Sequence, residues 1–158
     1  VTAPTLYHHY GSADGLLSPA IAEAFGQFLE SKKAVIRSAD PVVVLREGWN
    51  DYVRFAATRP RLYAAMMSRV LDGADIPAAE QAFALLLARI AAIAAKGRLG
   101  PTVGAAADLM WASANAASML HVTARLRKGA PPASAVLEQI REDALRSILK
   151  PATKGRSR

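Results

Sequence analysis

Proline and glycine break this chain at short intervals, and almost everything between the breaks favours helix. Asp40-Pro41, Arg59-Pro60, Asp72-Gly73, Ile76-Pro77, Leu99-Gly100-Pro101-Thr102 and Gly129-Ala130-Pro131-Pro132 each end one segment or open the next. Proline is tolerated in a first helical turn but not inside a helix, and glycine suits a helix end. Between the breaks Ala, Leu, Arg and Met dominate, all with high helix propensity. Apolar residues recur at three and four positions, as in Val44, Leu45, Trp49, Tyr52, Val53 and Ala56, or Phe83, Leu86, Leu87, Ile90, Ile93 and Ala94. That period predicts helices over 40–59, 61–72, 77–97, 103–126 and 134–149, the last capped by Ser134. Upstream, Thr2 caps a short helix through Tyr10, and Gly11 ends it. Ser12 with Gly15 opens a longer helix striped by Leu16, Leu17, Ala20, Ile21, Ala24, Phe25, Phe28 and Leu29. Pro19 either kinks this helix or sets its start one turn later. Val42–Leu45 is β-branched but too short and too well capped to be a strand. The expected fold class is all-α, with about seven helices, no sheet and no solenoid repeat.

Composition excludes several chemistries. The 158 residues include no cysteine, so disulfides and thiol nucleophiles are ruled out. Three histidines leave little for a metal centre; His8 and His9 are adjacent and point about 100° apart, unlike a chelating i, i+4 pair. There is no glycine-rich phosphate loop, no nucleophile elbow and no carboxylate pair on one helix face besides Glu142-Asp143. The expectation is a protein that is not an enzyme and needs no cofactor, with an enzyme on a helical bundle as a remote rival. The formal charge is +7, but Lys150, Lys154, Arg156 and Arg158 lie in the final nine residues, leaving 16 basic against 13 acidic, or +3, for residues 1–149. More than half of the net charge is therefore a tail, and the bulk pI is weak support for DNA binding. The apolar stretches near 82–95 and 109–120 are interrupted or flanked by Arg89, Lys96, Asp108, His121 and Arg125. Neither reaches the roughly 18 uncharged residues of a membrane span. The expectation is no membrane partner and a cytoplasmic location.

The opening helix is unusual. Thr2, Thr5, Tyr7, His8 and His9 surround a lone Leu6, so the helix is no core element. It is either a polar surface helix or a reader of a DNA groove, for which its hydroxyls and imidazoles have suitable size and hydrogen-bonding capacity.

Pro4-Thr5-Leu6-Tyr7-His8-His9-Tyr10, followed by Gly11-Ser12 and Leu16-Leu17, closely resembles the recognition helix and following helix of the TetR family of transcriptional repressors. The resemblance implies that Leu6 packs the helix onto its domain while Thr2, Ala3, Pro4, Thr5, Tyr7, His8 and His9 contact DNA. Thr5 and Tyr7 would meet phosphates, and Ala3, Pro4 and His8 would lie nearer base edges. Where the family usually has Lys after the Ser, this chain has Ala13, which removes one phosphate contact. The resemblance further implies an N-terminally truncated member, whose first helices of the helix-turn-helix precede Val1. Without them the recognition helix would bind DNA poorly.

Aromatic and sulfur-bearing side chains form a second group: Trp49, Tyr52, Phe55, Tyr63, Met66, Met67, Phe83 and Trp111. Each fits plain core packing. Together they also fit an adaptable small-molecule pocket, with Asn115 and His121 as polar anchors. The resemblance implies such an inducer pocket among the central helices. Trp111 with Asn115-Ala116 is similar to a family variant carrying Trp and then His-Gly; Asn-Ala stands in its place, so that variant's pocket chemistry does not transfer.

The helices at 103–126 and 134–149 offer small residues for close approach, Ala112 and Ala116, beside Leu109, Leu120, Leu137, Ile140, Ala144 and Ile148. They either pack within one monomer or, as the resemblance implies, form a homodimer interface. The expected organisation is a remnant helix-turn-helix at 1–12, a helical ligand-binding and dimerisation domain at 13–150, and a basic tail at 151–158. The expected function is a ligand-responsive regulator, a repressor released from a palindromic operator DNA by a small apolar or aromatic inducer. The alternative is a helical dimer that binds a small molecule without binding DNA.

Overall fold

In a computed structural model of the chain, the described residues are 39–152 together with Pro19, Glu23, Ala24, Gly26 and Gln27, which are helical. The recognition-helix motif at 1–17 and the tail beyond 152 lie outside them. Residues 39–152 form α1 (Pro41–Thr58), α2 (Pro60–Leu71), α3 (Pro77–Ala95), α4 (Val103–Val122), a 3-10 turn (Ala124–Arg127) and α5 (Ser134–Ile148). The described residues contain no strand; Leu99 and Leu149 form an isolated antiparallel bridge.

The breaks named above set these limits. The Asp40 carboxylate accepts a hydrogen bond from the Val42 amide at 2.9 Å, and Pro41 opens α1. Pro60 and Pro77 open α2 and α3 in the same way. Gly97, at φ +68°, lets the Arg98 amide turn back to the Ile93 carbonyl at 3.2 Å and closes α3. Thr102 caps α4 through its hydroxyl, which accepts from the Ala105 amide at 3.2 Å.

Two boundaries differ from the sequence-based expectation. The helix expected to run to residue 126 stops at Val122, and the chain tightens into the 3-10 turn before Lys128 and Gly129, both at positive φ. Ser134 is not the cap of α5. The extended residue is Ala133 (φ −63°, ψ 136°), so Ser134 is already helical and its hydroxyl makes no capping bond.

Helix α4 is the central element and touches α1, α2, α3 and α5. Its inward side is mostly small: Ala106, Ala107, Ala114, Ala117 and Ser118 are buried, with Met110 and Asn115. Small residues let neighbouring helices approach closely. One core cluster joins Val42, Leu45, Trp49 and Val53 of α1 to Ile90 and Ile93 of α3, Met110 of α4, and Leu145 and Ile148 of α5. A second gathers Phe55, Ala56, Tyr63, Met66, Ile76, Ala78 and Ala24.

The C-terminal end is tied down by backbone. Gly100 donates to the Ile148 carbonyl at 2.8 Å, Lys150 donates to the Arg98 carbonyl at 2.9 Å, and Arg98 pairs with Asp40 at 2.9 Å. This anchoring draws Ile148 fully into the core. The expectation of Ile148 at a dimer interface is therefore corrected: its side chain is spent inside its own subunit.

Helix α3 has an 18-residue window of mean hydropathy 1.5, long and apolar enough by composition to cross a membrane, which the sequence reading did not anticipate. It carries Glu80 and Arg89, and its Ile90 and Ile93 are fully buried in this bundle.

Helix α5 is held to α1 by charge as well as packing. Arg46 donates to both Glu142 carboxylate oxygens, at 2.8 and 3.2 Å, and Arg141 donates to Glu142 at 3.0 Å and to Asn50 at 2.8 Å. The Arg46 hydrogen bond holds the Glu142 carboxyl below its ordinary value of 4.5. Both partners are about one-third exposed, so water screens the pair. Replacing Glu142 by Gln is expected to lower unfolding free energy by about 0.5–1 kcal/mol at pH 7. Because the folded-state value is depressed, that contribution is complete above the unfolded-state value and disappears as pH falls through the folded-state one. Chemical denaturation of both proteins from pH 7 to pH 3 checks this: the difference should close below pH 4.5.

Candidate ligand-binding site

A cavity of about 700 Å³ opens among α1, α2, α3 and α4, within the usual range for small-molecule sites. From α1 come Leu45, Gly48, Trp49 and Tyr52; from α2, Met66, Met67 and Val70. Ile76 precedes α3, which supplies Phe83, Leu86, Leu87 and Arg89, and α4 adds Asp108, Met110, Trp111 and Ala114. The wall is mainly aliphatic, aromatic and thioether. These residues converge because α1 and α4 touch each other and each also touches α2 and α3, so one side of each helix faces a shared gap.

The polar groups of Trp49, Tyr52 and the neighbouring Tyr63 are already engaged. The Trp49 indole N–H donates to Ser113 Oγ at 3.0 Å, and the Ser113 hydroxyl donates to the Met110 carbonyl at 2.8 Å. The Tyr52 and Tyr63 hydroxyls both donate to Asn115 Oδ1, at 2.7 and 2.6 Å. Asn115 Nδ2 in turn donates to the Trp111 carbonyl at 2.8 Å. The two tyrosine rings meet edge-on, with centroids 6.1 Å apart and planes at 88°. Burial pushes both phenols up, so they stay protonated donors.

Six of the sequence-derived ligand candidates line the cavity: Trp49, Tyr52, Met66, Met67, Phe83 and Trp111. Phe55, Tyr63 and Asn115 do not. Phe55 and Tyr63 fill the second core cluster, and Asn115 stands behind Tyr52 as its hydrogen-bond acceptor. His121 is half-buried away from the cavity, its imidazole pushed down by burial and by Arg127. Gly48 and Arg89 were not among the candidates. A glycine inside an apolar helix stripe and an arginine inside an apolar run were the signals available.

Of the interface candidates, Leu109, Ala112 and Ala116 are exposed on the outer side of α4, near Met119. Leu120 is half-buried, and Leu137, Ile140 and Ala144 pack partly against the first core cluster. Helix α4 is thus apolar on both sides, with its outer side uncovered within one subunit.

Residues 45–144 match the profile of a family described as tetracyclin repressor-like, C-terminal domain. The chain belongs to this family. The matched span of this tetracyclin repressor-like domain runs from Leu45 in α1 to Ala144 in α5 and contains every residue lining the cavity. Among curated proteins and among solved structures, nothing matches this tetracyclin repressor-like chain.

Proposed function

We propose that this chain is a ligand-responsive, DNA-binding transcriptional regulator: a cytoplasmic repressor, not an enzyme, released from a palindromic operator by a small molecule. The apolar cavity walled by α1–α4 inside a tetracyclin repressor-like domain carries this reading. Residues 1–12 are the end of a helix-turn-helix, with Thr2, Ala3, Pro4, Thr5, Tyr7, His8 and His9 toward DNA. Residues 13–150 bind ligand and dimerise, and 151–158 form a basic tail. The DNA part rests on the sequence motif alone.

Two subunits pair through α4 and α5. Leu109 and Met119 on α4, at 45% and 46% exposure, and Val136 on α5, at 47%, leave apolar surface that a second copy would cover. A two-fold pair places two recognition helices one DNA turn apart, ~34–36 Å. Ligand in the cavity bears on Leu45, Trp49 and Tyr52 of α1 and favours a packing in which the helix opening near Ser12 swings, changing that spacing. A coupling of about 1–3 kcal/mol suffices to relieve repression.

Gel retardation by the full-length protein, at stated salt, tests the proposal. One palindrome should be retarded by a dimer and released by a cavity ligand. His8→Ala should weaken retardation tenfold or more, about 1–3 kcal/mol for a lost base contact, with dimer mass unchanged. Equal, weak retardation of every sequence would leave a ligand-binding dimer without DNA recognition.

A further inference from the structure

Three charged side chains border the cavity: Glu80, Arg89 and Asp108. Glu80 and Asp108 are exposed, whereas Arg89 is half-buried. Its guanidinium lies against Gly48 of α1, where a side-chain Cβ would overlap it. No described residue hydrogen-bonds Arg89 or pairs with it; Asp51 and Glu47 act on it only through space. Burial pushes its titration down from the ordinary arginine value, although a guanidinium stays charged in proteins. A partly desolvated cation without a partner is unfavourable, and a bound anion relieves that cost.

Among the other polar groups of the wall, the exposed Glu80 and Asp108 carboxylates can only accept hydrogen bonds, and the Trp111 indole N–H is uncharged. The Trp49 N–H is taken by Ser113 and the Tyr52 hydroxyl by Asn115. Arg89 therefore supplies the one cationic side chain among the lining residues, with donors that no described residue takes, and its planar fork matches a carboxylate two bonds at a time. We infer that the ligand of this cavity is an amphipathic organic carboxylate, its head paired with Arg89 and its apolar body against Trp49, Phe83, Leu86 and Met110. This inference rests on the cavity being the ligand site proposed above. Gly48 has a part in it, since the missing side chain is what admits the guanidinium at that point of α1.

Calorimetry with the full-length protein tests it, using dodecanoate against dodecan-1-ol and 4-phenylbutyrate against 4-phenylbutan-1-ol, below micellar concentrations. At least one acid should bind tenfold or more tighter than its alcohol. Arg89→Gln should bring that acid-to-alcohol ratio to within twofold of one, and Arg89→Lys should restore part of it. Should Arg89→Gln fail to fold by circular dichroism, Gly48→Ala gives the same readout by displacing the guanidinium. Acid and alcohol binding equally to the wild-type protein, or a preference that survives Arg89→Gln, overturns the carboxylate inference and leaves the cavity as a ligand site. No binding of any of the four compounds overturns both.

Discussion

Replacing Trp49 by alanine is expected to lower the unfolding free energy by about 3–5 kcal/mol, the usual range for deleting a large aromatic from a core. Trp49 is 5% exposed and packs within the cluster that joins α1, α3, α4 and α5. One edge of its ring also faces the cavity, so the space left by alanine would merge with an existing void and not collapse. The truncation also leaves Ser113 without its indole donor, although the serine hydroxyl keeps its bond to the Met110 carbonyl. Trp49→Phe should cost less, because most of the apolar contact survives and only the N–H bond and part of the ring are lost. Urea denaturation of the three proteins at pH 7 is the check. A midpoint shift for Trp49→Ala worth under 1 kcal/mol would mean that the indole is not packed as described.

Asn115→Leu is expected to cost about 2–4 kcal/mol, for a different reason. Asn115 is 8% exposed, and its single carbonyl oxygen accepts from the buried Tyr63 phenol and the half-buried Tyr52 phenol. Leucine has similar bulk and no acceptor. Each hydroxyl left without a partner in the interior costs about 1–3 kcal/mol. The same asymmetry predicts a rescue: Tyr52→Phe in the Asn115→Leu background should recover part of the loss, although Tyr52→Phe alone is destabilising. A double-mutant cycle by denaturant unfolding measures this coupling. Strictly additive losses would show that the two side chains do not share the bond.

Much of the architecture was legible because its determinants are local. Asp40-Pro41, Pro60, Pro77 and Gly97 fix helix ends through backbone sterics, and those ends fall within a residue or two of their expected places. Ser134 was misjudged because the identity of a good capping residue does not reveal which backbone unit is extended, and Ala133 holds that place. The cavity was legible in composition but not in its edges. Helical spacing assigns Trp49, Tyr52 and Phe55 to one broad face, yet this face spans two adjoining clusters, and Phe55 turns to the second. Asn115 announces itself as a polar group in an apolar helix. Its partners Tyr63 and Tyr52, 52 and 63 positions away, belong to other helices and could not be paired by pattern. Ile148 belongs to an apolar stripe that pattern alone leaves open between internal packing and a dimer interface; the Gly100 and Lys150 backbone bonds draw the end of α5 inward.

The chain's two tryptophans stand in the same cavity wall at very different depths, Trp49 at 5% exposure and Trp111 at 40%. Their emission spectra should differ accordingly, the first blue-shifted and shielded from iodide, the second redder and quenchable. Both belong to the lining of the cavity, so a ligand bound there should alter their emission, an optical gauge of occupancy that needs no label.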